Sequence, residues 1–170
     1  MNHVAEARAN YKKFWKDLKS GRFVEMVREA SKGESVSNSI DIFNIMKPVF
    51  GDCPDVEVVY CIFLDAQNRI LAIEKLFSGT ITSAIIYPRE LIKQMLSLNA
   101  TALVMAHNHP SGCSQPSPED ISITQKVFVA LASIDAILHD HVIVGDQPYS
   151  LADEGFIKKF KTKYARLLRG

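Results

Sequence analysis

The residues best suited to chemistry in this chain of 170 residues lie in one short stretch. His107 and His109 are separated by a single residue, and Asp120 follows after ten more. Where a strand ends, side chains at positions i and i+2 point the same way, so both imidazoles can be presented to one point. Pro110 and Gly112 let the chain turn back sharply, so the next helix can deliver the Asp120 carboxylate. Two nitrogens and one oxygen around an open fourth position are typical of a catalytic zinc site.

Two alternatives to this catalytic site stay open. Ser117, three residues before Asp120, also forms a capping pattern that begins a helix without any metal. A structural zinc would need a fourth protein ligand, which Cys113 could supply, although no second cysteine accompanies it. The other His-x-His pair, His139 and His141, lies in an apolar run with no acid at a comparable distance. We interpret these two histidines as structural residues that support the first site.

The spacing H-x-H-x(7)-S-x(2)-D of His107, His109, Ser117 and Asp120 resembles the JAMM signature of MPN-type metalloproteases. The surrounding segments resemble the RadC branch of bacterial proteins: LFSGT at 76–80, YPRE at 87–90, AHNHPSG at 106–112 and DH at 140–141. The resemblance implies an α/β fold, an MPN/cytidine-deaminase-like α/β/α sandwich with a mixed sheet. It also implies a bound Zn2+ held by His107, His109 and Asp120, and hydrolysis of a peptide or isopeptide amide bond.

The same resemblance assigns roles to two further residues. Glu74 corresponds to the glutamate that hydrogen-bonds the attacking water, and Ser117 to the residue that helps to stabilise the oxyanion. A carboxylate within reach of that water can take its proton and pass it to the leaving nitrogen, which typically accelerates a reaction ~100- to 10,000-fold. A hydroxyl can share the negative charge of the tetrahedral intermediate. Spacing alone does not rank Glu74 above Glu57 or Glu90.

The elements that position these residues follow from hydrophobic periodicity and turn chemistry. A β-hairpin is predicted from strands over 57–64 and 69–77, with Asp and Asn in the turn between them. A short buried strand over 100–106 leads to the two histidines, and Ser117 begins a helix that ends near Ala132. The remaining predicted elements are a helix from Pro88 to about Leu98, a strand over 134–144, a turn over 150–155 and a terminal helix with Phe156, Phe160 and Tyr164 on one face.

The chain before the hairpin is predicted to be helical. Apolar residues recur at helical spacing in a first helix, which contains Val4, Ala7, Tyr11, Trp15 and Leu18. A second helix is expected around residues 23–30 and a third around 39–46, ended by Pro48 and the turn residues at 51–54. We therefore divide the chain into a helical N-terminal extension, residues 1–36, a RadC-like MPN (JAMM) domain, residues 37–156, and a basic C-terminal helix, residues 157–170.

Composition limits the class of protein. With 47% hydrophobic and 23% charged residues, the chain is neither disordered nor collagen-like. The longest uncharged run of membrane-like composition, Ile81 to Pro88, is far shorter than the ~20 residues needed to cross a bilayer, and the N-terminal residues lack the apolar stretch of a secretory signal. We therefore predict a cytoplasmic protein with no membrane partner.

The net charge of +1 is unevenly distributed. Residues 1–35 carry eight Lys and Arg against five Asp and Glu, residues 36–155 six against fourteen, and residues 156–170 six against none. The basic termini support a second hypothesis, a DNA-associated accessory protein with little or no peptidase activity. A third hypothesis is a homo-oligomeric scaffold in which Tyr11, Trp15 and Leu18 cover a partner. The acidic body favours the hydrolase with a protein or peptide substrate, because it would repel phosphates.

Overall fold

The computed structural model describes residues 10–13, 16–17, 20–51, 55–78 and 87–168. Its strands are β1 Val58–Leu64, β2 Ile70–Ser78, β3 Ala102–Asn108, β4 Ile137–Val144 and β5 Pro148–Ser150. The longer helices are α1 Arg22–Ala30, α2 Ser39–Phe50, α3 Pro88–Ser97, α4 Pro118–Ala132 and α5 Phe156–Leu168. No helix in the described ranges combines the length and apolar character that a bilayer span requires.

The five strands form one mixed sheet of order β2-β1-β3-β4-β5. Strand β1 is antiparallel to both β2 and β3, whereas β3 and β4 are parallel and are connected through α4. The predicted hairpin is confirmed, and its turn is held by the Asp65 carboxylate. This carboxylate accepts the backbone N–H groups of Gln67 at 2.8 Å and Arg69 at 2.9 Å.

Helices cover both faces of the sheet, so the predicted α/β/α sandwich is confirmed. Every residue of β1 and β3 is buried, which explains why these strands are continuous apolar runs. On one face, Ile62 and Ile73 pack with Met46 of α2; on the other, Met105 packs with Leu131 of α4. The sheet therefore presents β3 to α4, and this is the pair of elements that carries the two histidines and the aspartate.

A bulge in β4 sets which of its residues face α4. Leu103 pairs with Leu138, but the next residue of β3, Val104, pairs with Asp140, so His139 is an extra residue in the strand. Because of this insertion, Leu138 and His141 both lie on the α4 side although they are three residues apart.

The α1 helix and the segment after it are tied to the outer edge of β2. Residues 33–36 exchange backbone hydrogen bonds with residues 68–70, including Ile70 N to Glu34 O at 2.8 Å. Further along the same edge, the Arg28 guanidinium donates to the carbonyl of Ile73. The predicted helix over 23–30 is thus confirmed, and it covers unpaired backbone of an edge strand.

Two expectations differ from the structure. The helix predicted to end before Pro48 continues to Phe50, because Val49 and Phe50 are buried in the core and the Gly51 N–H reaches the carbonyl of Lys47. The short strand β5 was not predicted: a turn occupies 151–155, but residues 148–150 pair with β4. A three-residue strand beginning with proline has little sequence signal.

The predicted first helix falls largely outside the described residues. Residues 10–13 and 16–17 are helical, and Tyr11 is 65% exposed. Trp15 and Leu18 lie outside the described ranges, so the oligomerisation hypothesis and the three-part division of the chain stay predictions.

Candidate metal centre

The end of β3 and the start of α4 bring together the three residues that the spacing predicts. His107 lies within β3 and is fully buried, and His109 follows the strand with its backbone N–H on the carbonyl of Val144 at 3.1 Å. Asp120 lies in the first turn of α4 and is also fully buried. The alternation expected of a strand is confirmed, because the two Nε2 atoms of the histidines are 2.8 Å apart.

The spacing of the ligand atoms suits one small cation. His107 Nε2 lies 3.2 Å from Asp120 Oδ1, and His109 Nε2 lies 3.4 Å from Asp120 Oδ2. Tetrahedral zinc with bonds of ~2.0–2.2 Å places its ligand atoms about 3.3 Å from one another. The three side chains are therefore a group that could hold a metal ion.

Ser117 and Asp120 form the predicted capping box and also leave one oxygen free. Asp120 Oδ2 accepts the backbone N–H of Ser117 at 2.8 Å and its hydroxyl at 2.7 Å, while the Asp120 N–H donates to Ser117 Oγ. Asp120 Oδ1 is buried and has no hydrogen-bond partner among the described residues. A buried acceptor without a donor is costly. A cation beside His107 would satisfy it, so the capping and metal-site interpretations are compatible.

The imidazole of His109 also presents a free lone pair to this point. Its Nδ1 lies 2.7 Å from the carbonyl oxygen of Cys113, which can only accept, so in the neutral ring the proton is on Nδ1 and Nε2 has a lone pair. Cys113 thus contacts His109 through its backbone carbonyl, and its side chain is a free thiol on an exposed residue.

Two pKa shifts describe the same preference for positive charge. The protonated ring of His109 can donate to Asp120, which raises the pKa of His109, and the charges of Asp120 and Glu57 add to this effect. Burial alone would raise the pKa of the Asp120 carboxyl, but the neighbouring imidazoles of His107 and His109 and the hydroxyl of Ser117 hold it well below its ordinary value. The site is therefore built to keep an ionised carboxylate next to a cation.

Behind His107, two buried residues continue the hydrogen-bonded chain. His107 Nδ1 lies 2.7 Å from His141 Nε2, and His141 Nδ1 lies 2.6 Å from Thr124 Oγ1. Burial lowers the pKa of His141 well below its ordinary value, so its ring is neutral. His139 instead contacts Asn68 at 2.9 Å. Thr124 was not predicted; its only sequence signal is its position four residues after Asp120, on the same helix face.

Comparison with known proteins places this arrangement in a family. A family model described as a RadC-like JAB domain matches residues 36–156. The chain belongs to this family. Curated relatives named UPF0758 protein are 49% identical over 102 residues in Azotobacter vinelandii and 38% identical over 133 residues in Thiobacillus denitrificans. These alignments cover 59% and 78% of this chain but 46% and 59% of the relatives, so the chain spans about half of their length.

In this RadC-like domain, Glu74 is not among the residues gathered at the centre. It lies opposite Cys61, which lies opposite Met105, so two strand spacings of ~4.8 Å separate its backbone from β3. Its carboxylate accepts the Arg28 guanidinium at 2.5 Å. The position of Glu74 is thus explained by the attachment of α1 to the sheet edge, and a catalytic role for it stays a prediction.

Among Glu57, Glu74 and Glu90, Glu57 is the candidate base whose position lies beside the two histidines. Val59 pairs with His107 at the end of the β1–β3 ladder, so Glu57 and His109 each lie two residues beyond this last pair. The half-buried Glu57 carboxylate is close enough to act electrostatically on His109. Pairing of β1 with β3 is the information that the sequence lacks.

The loop that carries His109 requires a glycine at position 145 of the RadC-like domain. A Cβ atom on Gly145 would lie 2.3 Å from the carbonyl oxygen of Gly112. The N–H of Gly112 in turn donates to the carbonyl of His109, so Gly145 packs directly against this loop.

We expect Gly145→Ala to displace this loop, to lower the free energy of unfolding by about 1–3 kcal/mol and to weaken zinc binding at least about tenfold. Thermal unfolding and a zinc titration measure the two effects. Gly51→Ala is the control, because its nearest neighbour would be at 3.3 Å and its backbone is helical. Equal zinc affinity in Gly145→Ala would contradict the expectation.

Proposed function

We propose that this RadC-like domain is a zinc-dependent hydrolase of the JAMM type that cleaves a peptide or isopeptide amide bond. The observation that supports it is the convergence of three electron-pair donors on one point: the Nε2 atoms of His107 and His109 and the unpartnered Oδ1 of Asp120. Three protein ligands leave the fourth position of a tetrahedral ion for solvent or substrate, which is the arrangement of catalytic rather than structural zinc.

Proton transfer would be carried out by a carboxylate beside the centre. Zinc, when bound, supplies a Lewis acid that makes water nucleophilic near neutral pH. Glu57, whose charge acts on His109, is the best-placed group to take a proton from the attacking water and to return it to the leaving nitrogen. Ser117 holds Asp120 Oδ2 through its hydroxyl; stabilisation of the oxyanion by Ser117 is proposed from the family resemblance.

Substrate would approach from the His109 side. The side chain of His109 is 11% exposed, whereas those of His107 and Asp120 have no exposure, and the adjoining Pro110 and Ser111 are exposed. A backbone amide or a lysine isopeptide presented by an extended segment can approach the centre along this exposed loop. We place this activity in the cytoplasm, as the sequence predicts.

The test is metal-dependent hydrolysis by the whole chain. Fluorogenic peptides and a lysine-linked isopeptide conjugate are incubated with zinc-loaded protein, with chelated protein and with protein reloaded after chelation. We expect hydrolysis only in the loaded samples and its loss in Asp120→Asn. Glu119→Gln, on the adjacent exposed residue of the same helical turn, should retain it. Cleavage that persists in chelated protein or in Asp120→Asn would refute a metal mechanism.

A second candidate function, DNA association, is favoured by the surface of α5. Its exposed face carries five cations, and none of them has a carboxylate partner within the described residues: Lys158, Lys159, Lys161, Lys163 and Arg166. Such a face suits a phosphate backbone through release of counterions.

This candidate predicts salt-dependent binding. Replacing the four lysines of α5 by glutamine should lower the slope of log K against log salt by up to about 3–4 for duplex DNA, with a weaker affinity. Fluorescence anisotropy over a salt series measures both quantities. Lys126→Gln, on the exposed side of α4, is the control. It should lower the salt slope by no more than about 1, which is the contribution of one phosphate contact, and should leave the affinity nearly unchanged. Identical salt slopes in the parent chain and the four-lysine variant would exclude α5 as the binding face.

A further inference from the structure

A buried chain of hydrogen bonds connects the backbone of α4 to the candidate ligand His107. The Thr124 hydroxyl lies 2.5 Å from the carbonyl oxygen of Asp120, one helical turn before it, and 2.6 Å from His141 Nδ1. His141 Nε2 then lies 2.7 Å from His107 Nδ1. Thr124, His141 and His107 are all fully buried, so these groups are removed from bulk solvent.

The Asp120 carbonyl at one end of this hydrogen-bonded chain fixes the position of every proton in it. A carbonyl oxygen can only accept, so the Thr124 hydroxyl donates its single proton to Asp120 O. Thr124 Oγ1 must therefore accept from His141, whose proton lies on Nδ1. The neutral ring of His141 then has only a lone pair on Nε2, which accepts from His107 Nδ1. It follows that the proton of neutral His107 is on Nδ1 and that Nε2 is free.

We infer that Thr124 and His141 are positioning residues that set the tautomer of His107, so that its Nε2 lone pair faces the metal position. This inference rests on the proposed metal centre. The opposite direction of the chain would place a proton on His107 Nε2, 3.2 Å from Asp120 Oδ1 and 2.8 Å from His109 Nε2, where it would exclude a metal ion. His109 needs no such relay, because the Cys113 carbonyl fixes its tautomer directly.

The inference assigns a role to the Thr124 hydroxyl, whose hydrogen bonds are to the backbone of Asp120 and the ring of His141. Thr124→Val keeps the shape of the side chain and removes the acceptor of His141 Nδ1–H, so both directions of the His141–His107 hydrogen bond become accessible. Thr124→Ser keeps the hydroxyl. Loss of a group that orients a ligand typically weakens metal binding 10- to 100-fold. We expect that loss in Thr124→Val and near-parental affinity in Thr124→Ser.

The experiment measures zinc affinity by competition with a chromophoric chelator, together with the histidine nitrogen signals of the zinc-loaded protein by NMR. Thr162→Val is a matched control, since the Thr162 hydroxyl makes the same bond to the carbonyl four residues earlier, at 2.9 Å, at an exposed position of α5. Its zinc affinity should equal that of the parent chain. Protons on Nδ1 of both His107 and His141 are the expected spectrum.

Three outcomes decide the inference. Equal zinc affinity in folded Thr124→Val and the parent chain overturns the relay and leaves the metal centre standing. A proton on Nε2 of His141 in the parent protein overturns it without any variant, so a poorly folding Thr124→Val does not leave the question open. Failure of the parent chain to bind zinc overturns the metal centre and the relay together.

Discussion

One equivalent of zinc is expected to bind the parent chain, and Asp120→Asn is expected to abolish this binding while leaving the fold intact. Asparagine can keep an oxygen toward Ser117 and place an amide nitrogen where Oδ1 now lacks a partner, 3.2 Å from His107 Nε2. It thus replaces a ligand for a cation with a donor for the imidazole. The loss of affinity should exceed the ~100-fold typical of an outer-shell change, because a ligand and its charge are removed.

The parent chain should therefore be the more stable protein in zinc, whereas Asp120→Asn should be equally or more stable in chelator. With free zinc 1,000-fold above its dissociation constant, the parent chain gains about 4 kcal/mol. For a chain of this size that gain corresponds to a rise in Tm of about 8–16 °C. In chelator, Asp120→Asn should unfold at the same temperature as the parent or higher, because its buried polar atoms have partners. Calorimetry with and without zinc measures both. A zinc-dependent shift in Asp120→Asn equal to that of the parent would remove Asp120 from the site.

Glu57→Gln is expected to lower kcat for amide hydrolysis by about 100- to 10,000-fold while zinc remains bound. The amide cannot accept a proton from the attacking water, and this range is typical for loss of a general base. Glu57 is not one of the three residues that converge on the metal position, so metal content should not change. Steady-state kinetics and metal analysis of the same preparation separate these effects.

Matched variants test this assignment against the one that the sequence resemblance favours. Glu74→Gln can still accept a hydrogen bond from Arg28, and Glu90→Gln alters an exposed residue paired with Lys93. Both should retain kcat within about tenfold of the parent, below the range typical of a general base. A large loss in Glu74→Gln alone would instead restore Glu74 as the base and would require its release from Arg28.

The sequence predicts the local parts of the site because their signals are local. Ser117, Pro118 and two acids begin α4 through a cap whose hydrogen bonds lie within four residues. His107 and His109 converge because a strand alternates with period two. The central strands are recognisable because burial on both faces requires unbroken apolar runs.

The parts that sequence spacing misses depend on pairing between distant strands. The preference for Glu57 over Glu74 in our proposal rests on the register of β1 with β3, which no local pattern encodes. The bulge at His139 likewise separates two histidines that strict alternation would place together, directing His141 to His107 and His139 to Asn68. Thr124 acquires a role only when α4 packs against β4.

The backbone pairing along the outside of β2 affects how shortened versions of this protein should be judged. The family match begins at residue 36, whereas residues 33–36 and Arg28 occupy the outer hydrogen-bonding groups of residues 68–73. Trimming at the family boundary would uncover those groups and offer them to a second copy. A dimer seen only after such truncation would then result from the exposed edge of β2 and not from a natural assembly. The oligomeric state should therefore be judged from the molar mass of the untrimmed chain.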